Sequence, residues 1–173
     1  MRFGLLSIVL AVSLHATTLQ KLTLDDMIRQ STAIVHVKVS SSSPVMRGRN
    51  IYTFYQFQLL ETLKAGGGAQ TEVAVPGGST AGLRQEVAGA PSLAAGGEYV
   101  IFLWTSNSGL TQIIGLSQGL FSVLPDSSGT AELVRGALAG ATLVNKSGQT
   151  LNPLAVTISL SGLKAEIQKV LGN

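Results

Sequence analysis

Gly96-Gly97-Glu98-Tyr99-Val100-Ile101-Phe102-Leu103-Trp104, a polar turn, and then the run Leu110-Thr111-Gln112-Ile113-Ile114-Gly115-Leu116-Ser117-Gln118-Gly119-Leu120-Phe121-Ser122-Val123-Leu124-Pro125 decide the fold. A short apolar run bounded by glycines reads as a buried strand over Glu98–Trp104. Tyr99, Ile101 and Leu103 alternate with Val100, Phe102 and Trp104, and either set suits an inward face. Ser106-Asn107-Ser108-Gly109 is a turn, so Leu110–Ile114 returns as a hairpin partner. Leu120–Leu124 is a further strand, closed by Pro125 and the turn Asp126–Gly129.

Gly115-Leu116-Ser117-Gln118-Gly119 inside this stretch matches G-x-S-x-G. In hydrolases that pattern needs a strand before the serine, a helix after it and a histidine downstream. Here a strand-like segment follows the serine. His36, the one histidine outside the N-terminal sixteen residues, lies far upstream. The two glycines fit a bend between strands better. Ser117 therefore reads as a bend residue, and a serine hydrolase using Ser117 stands as the lesser alternative.

Strand and turn signals continue outward from this stretch. Ala33–Ser40 alternates, with Val35, Val37 and Val39 on one face and His36 and Lys38 on the other. Ile51–Leu63 is the longest strand pattern, with Ile51, Tyr55, Phe57, Leu59 and Leu63 sharing one face and Tyr52, Phe54 and Leu60 the other. Ser40–Asn50, with four serines, reads as a loop. Lys64–Gln70, with Gly66-Gly67-Gly68, is a turn, Thr71–Val75 a strand, and Ser79–Ala95 a long irregular connection of the kind that often carries function. Leu83–Val87 is a short strand alternative within it. Thr17–Leu22, Ala131–Val134 and Leu143–Asn145 are weaker strands.

Two helices frame the strands. Thr23 and Asp26 form a capping box before Leu24, Met27 and Ile28, with the helix ending near Ser31. The pair Asp25–Asp26 suits the helix dipole, which favours negative charge at that end. Leu160, Leu163, Ile167, Val170 and Leu171 recur at helical spacing, with Ser159 or Ser161 as cap and Gly172 as stop.

Composition bounds the class. The chain has 173 residues, 45% hydrophobic and only 12% charged, with a net charge of +3 and no cysteine. Ordinary domains carry about 25% charged residues, so Ser, Thr, Gln, Asn and Gly must form much of the surface. Met1-Arg2 followed by the apolar run Phe3–Leu14 and by Leu14-His15-Ala16 reads as a signal peptide over residues 1–16, cut after Ala16. That predicts a secreted or periplasmic protein with no stable membrane span after cleavage. Residues 17–173 then form a single β-barrel domain with a C-terminal helix.

Little of the remaining chemistry gathers into a motif. The basic residues are scattered, without interleaved aromatics, which argues against nucleic acid. One histidine and no cysteine give no His- or Cys-rich metal set, and no EF-hand spacing occurs. Gly66-Gly67-Gly68 and Gly77-Gly78 lack the lysine and hydroxyl of a phosphate loop. No cofactor or metal is expected. Asn145-Lys146-Ser147 fits the glycosylation pattern.

Ala33–Val39, Tyr52–Lys64 and Gly96–Leu103 together resemble netrin-like modules, whose OB-type barrel also forms the inhibitory part of tissue inhibitors of metalloproteinases. Pro76-Gly77-Gly78, Gln85–Pro91 and Gly97-Glu98 are similar to a pattern of secreted bacterial proteins. The likeness spans roughly residues 19–124. It implies a small OB-like barrel, closed or partly open. No inhibitory residue carries over, because the family's N-terminal zinc-chelating cysteine has no counterpart here. The expectation is a mainly β, non-catalytic module that binds an extracytoplasmic protein partner, or secondarily a saccharide, with Arg84, Gln85 and Glu86 as the interaction loop. A structural cell-envelope component is a further alternative.

Overall fold

A computed structural model describes residues 17–67, 71–125, 131–136, 138, 140–152 and 155–172. The expected signal peptide, part of the Lys64–Gln70 turn and the turn Asp126–Gly129 lie outside these residues. Among the described residues the chain is mainly β, 53% strand, with two helices. In order it runs β1 (Thr17–Gln20), α1 (Leu24–Gln30), β2 (Ala33–Arg47), β3 (Asn50–Lys64), β4 (Glu72–Pro76), β5 (Gly78–Thr80), β6 (Leu83–Gln85), β7 (Glu98–Thr105) and β8 (Thr111–Ile113). A single 3-10 turn, Leu116–Gly119, leads into β9 (Leu120–Pro125), β10 (Ala131–Arg135), β11 (Ala141–Val144), β12 (Thr150–Leu151), β13 (Val156–Ser159) and α2 (Leu160–Leu171).

The main sheet has eight strands, in the order β13-β10-β9-β7-β2-β3-β4, with β8 also paired to β7. β7 carries β2 on one edge. On the other edge, β9 pairs with its first half (Tyr99–Ile101) and β8 with its second (Leu103–Thr105). β8 and β9 therefore act as one strand interrupted by the 3-10 turn. Two small sheets accompany it, β1-β11-β12 and β5-β6, the first with β1 parallel to β11.

The sequence leaves open which face of the Glu98–Trp104 strand is buried, and both are. Tyr99, Ile101 and Leu103 join Val35, Val37, Val39, Tyr55, Phe57, Val73, Val75 and Ile113 in a first core. Val100 and Phe102 join Met27, Ile28, Ile34, Phe121, Leu133, Leu163, Ile167 and Val170 in a second. The first core lies inside the curl of the sheet, and the second lies under α1 and α2. That double burial explains the unbroken apolar run, since a strand covered on both faces has no polar side. Phe102 and Phe121 meet at 5.7 Å between centroids, tilted by 45°. This offset geometry adds to the area they bury.

The expected closed barrel does not form. The main sheet ends at β13 on one side and at β4 on the other, and no ladder joins them among the described residues. β4 lies against β8, and Val73, Val75 and Ile113 meet in the first core where a barrel would have hydrogen bonds. β10 and β13 extend the sheet outward past β9 instead of returning to β4.

Two local expectations also change. Ser40–Asn50 is a hairpin arm, with Ser41–Arg47 paired to Asn50–Gln56 around Gly48-Arg49. Polar, exposed strand residues hid it from a hydrophobic pattern. Leu59 is 41% exposed and Leu60 42%, although alternation put Leu59 with the buried set. Register shifts between Ile34 and Val35 and between His36 and Val37 insert extra β3 residues there and break the alternation.

The helices follow the sequence closely. Thr23 Oγ1 accepts from Asp26 N–H at 3.0 Å, Thr23 N–H donates to Asp26 Oδ2 at 3.2 Å, and Ser31 is the C-cap. The Thr23 hydroxyl and N–H hold the Asp26 carboxyl below its usual pKa. Ser159 caps α2 and Gly172 ends it in a left-handed conformation. The end of α1 has a second anchor from β3: the Lys64 ammonium donates to the carbonyls of Ile28 (2.7 Å), Arg29 (3.3 Å) and Ser31 (2.6 Å). A cation suits this negative end of the helix, although burial pulls the Lys64 pKa below its usual value. Replacing Lys64 with Met should lower the unfolding free energy by about 1–2 kcal/mol, since three carbonyls lose their charged donor and are only partly rehydrated. Urea unfolding measures this, and a midpoint equal to that of the wild type would contradict it.

Candidate functional site

The segment Ser79–Ala95, expected as one irregular loop, divides in two. Its first part completes the hairpin β5–β6, with Ser79 opposite Arg84 and Thr80 opposite Leu83. Its second part runs without regular structure from Glu86 to Gly97 and returns to the sheet through Gly96 N–H to Val39 O, at 2.8 Å, and Val39 N–H to Gly97 O, at 2.9 Å.

The three residues expected at the interaction loop have different roles. The Gln85 side chain is internal: its Oε1 accepts from Ile51 N–H at 2.7 Å and pins β6 to β3. Arg84 and Glu86 pair with each other on the surface, with about three quarters of each side chain exposed (75% and 76%). A pair this exposed contributes ~0–1 kcal/mol to stability, so both groups remain open to an outside partner. Of the three, Gln85 and Glu86 line a cleft of about 620 Å³, and Arg84 does not. That volume falls within the ~300–1,000 Å³ typical of ligand pockets. Tyr55 and Val75 line it from the main sheet, Gly77 and Gly78 from the β4–β5 link, and Ala88 and Pro91 from the irregular segment.

Ala90, Pro91 and Ser92 also border a second cleft of about 370 Å³, together with Tyr99, Ser117 and Ser122. Ser117 sits in the 3-10 turn. Its N–H donates to Gly89 O at 3.1 Å, while its Oγ is buried and has no hydrogen-bond partner. A serine–base pair would place a base within reach of that oxygen. His36 is instead on β2, alternating with Val35 and Val37, and its Nε2 lies 3.6 Å from Glu98 Oε2. It does not line the Ser117 cleft. Among the described residues no group of three or more His, Cys, Asp or Glu side chains is placed to hold a metal ion.

The two glycines of the G-x-S-x-G pattern are explained by the bend. Gly115 takes φ +60°, and a Cβ on Gly119 would lie 2.7 Å from Ile114 O. Leu116 also has a left-handed φ of 58°, a conformation that costs a non-glycine residue roughly 1–2 kcal/mol. The residue that sequence reasoning missed is Gln118. It is 2% exposed. Its Oε1 accepts from Leu22 N–H at 2.8 Å and its Nε2 donates to Gln20 O at 3.0 Å. The only sequence signal for it was its position inside the bend.

Comparison with protein-family models and with curated proteins returns no match to this chain.

The Ser117 geometry gives a direct expectation. A serine-reactive fluorophosphonate should leave the folded protein unlabelled, and Ser117→Ala should unfold within about 0.5 kcal/mol of the wild type, since the hydroxyl it removes bonds to nothing. Stoichiometric labelling that disappears in Ser117→Ala would establish Ser117 as a nucleophile.

Proposed function

We propose that this chain is an exported, non-catalytic binding module that captures a protein partner in the cleft between the β4–β5 link and the Glu86–Ser92 segment. The observation that carries the reading is the composition of that cleft. Its walls are largely backbone and small side chains, from Gly77 and Gly78 on one side to Ala88 and Ala90 on the other. Such walls let an extended segment approach closely and bond to main-chain groups. Glu86 supplies one carboxylate at the rim, with Arg84 beside it. Tyr55 and Val75 give the cleft an apolar floor continuous with the first core. A mixed lining of this kind suits a short segment with one apolar anchor and a basic neighbour.

The sheet that carries the cleft supports reading the fold as a partly open OB-like barrel, with β4 against β8 at the unzipped seam. Export rests on the basic start at Met1-Arg2 and the apolar run Phe3–Leu14. No described helix is long and apolar enough to cross a membrane.

Cross-linking capture of a partner from the surrounding secreted or periplasmic fraction tests the reading. Ala88→Trp with Glu86→Gln, which fills the cleft and removes its charge, should lower recovery about tenfold or more. Lys169→Ala, on α2, which contributes no residue to the cleft, should leave recovery unchanged. Equal recovery with the filled cleft contradicts the binding site. This chain itself, recovered from that fraction, should begin at Thr17, and a mass that includes Met1–Ala16 contradicts cleavage at that point.

A further inference from the structure

The only tryptophan of the chain is not in either core. Trp104, one residue before the end of β7, has 43% of its surface exposed and is paired across the strands with Gln112 of β8. It lines a third cleft, of about 590 Å³, with Leu19, Gln30, Gln112 and Leu116. This cleft shares no lining residue with the one assigned above to a protein partner.

Three features of the cleft point to one ligand chemistry. No ionisable side chain lines it, so a charged ligand would find no counter-charge there. The Gln30 and Gln112 carboxamides and the Trp104 indole N–H make no side-chain hydrogen bond to any described residue. Each carboxamide therefore offers two donors and an acceptor to a ligand. Gly115 and Leu116, which both line the cleft, are both left-handed. Backbone strain in a residue that lines a cleft is a recurrent mark of ligand sites.

We propose that this cleft binds a neutral saccharide, one pyranose ring stacked on Trp104 and its hydroxyls bonded to Gln30 and Gln112. A pyranose has an apolar face of C–H groups, which suits an indole, and a rim of adjacent hydroxyls, which suits planar carboxamides that both donate and accept. Leu19 and Leu116 cover the apolar edges of the ring. The indole N–H donates to a ring substituent at the rim. The site recognises an exposed stretch of an uncharged polysaccharide or its oligomers, and it operates apart from the protein-binding cleft.

Since Trp104 is the sole tryptophan, intrinsic fluorescence reads the site directly. The test titrates the protein without residues 1–16 with hexasaccharides of β-1,4-glucose, α-1,4-glucose and β-1,4-N-acetylglucosamine. A sulfated hexasaccharide serves as the charged comparison. The expected result is a saturable emission change with at least one neutral sugar and weaker binding of the sulfated one. Calorimetry with that sugar should show Trp104→Ala losing about tenfold or more in affinity, with Trp104→Phe intermediate. The Gln30→Ala, Gln112→Ala double variant keeps the reporter and both cores, and it should lose about tenfold or more by fluorescence. No saturable response to any neutral hexasaccharide at millimolar concentration overturns the proposal. So does tighter binding of the sulfated sugar, or unchanged affinity in either variant set.

Discussion

A single buried carboxamide ties together the parts of this molecule that share no ladder. Gln118 accepts from Leu22 N–H and donates to Gln20 O, so the link between β1 and α1 is fixed to the bend in the β8–β9 strand. One residue earlier, Ser117 N–H holds Gly89 O of the irregular segment. The bend itself sits between two strands paired to β7. Main sheet, small β1-β11-β12 sheet and irregular segment thus converge on five residues. A buried amide is costly unless both of its ends are satisfied, and here both are. Specificity follows from that: sliding β1 by one residue would leave a donor and an acceptor buried and unpaired.

Beneath this clamp, β7 separates two hydrophobic layers. Its inward set fills the curl of the sheet and its outward set fills the layer under the two helices. Each fully buried side chain of this kind contributes roughly 1.5–3 kcal/mol, and β7 contributes to both layers. The strand leaves the cores only at Trp104, where the outward set passes beyond α1 into the third cleft. The cleft proposed for a protein partner and the Trp104 cleft share no lining residue, and each takes part of its wall from the main sheet, Tyr55 and Val75 in the first and Trp104 and Gln112 in the second. Those sheet residues give each cleft a wall of regular structure, which favours the fixed geometry that recognition needs.

Most strands were legible because they obey period-two alternation or form short apolar runs between glycines. Ala33–Val39 and Glu98–Trp104 are examples, and both ends of each helix were legible through their caps. The arm Ser40–Arg47 was not, because its serines carry no hydrophobic signal and its pairing with β3 is a long ladder that only the fold reveals. A bulge at Leu60 in β3 interrupts the alternation by a register change with no local mark. Whether the expected barrel closes was not legible, because strand count and turn spacing describe a sheet without saying whether its ends meet. At the candidate site, the Ser79–Ala95 segment stands out in the sequence for its length, but the different roles of Arg84, Gln85 and Glu86 depend on contacts with Ile51 and with each other. Gln118 was invisible for the same reason: its two partners lie 96 and 98 positions away.

The G-x-S-x-G stretch therefore has a physical purpose of its own: its glycines permit the bend, and the residue between serine and glycine fastens the chain. Native-state hydrogen exchange on Gln118→Ala tests that claim most directly. The account predicts that Leu22 N–H and the β1–β11 ladder lose protection together, by about 1–3 kcal/mol for an uncompensated buried amide partner, while β2, β3 and β7 keep theirs. Leu22 and β1 exchanging at wild-type rates in that variant would contradict it.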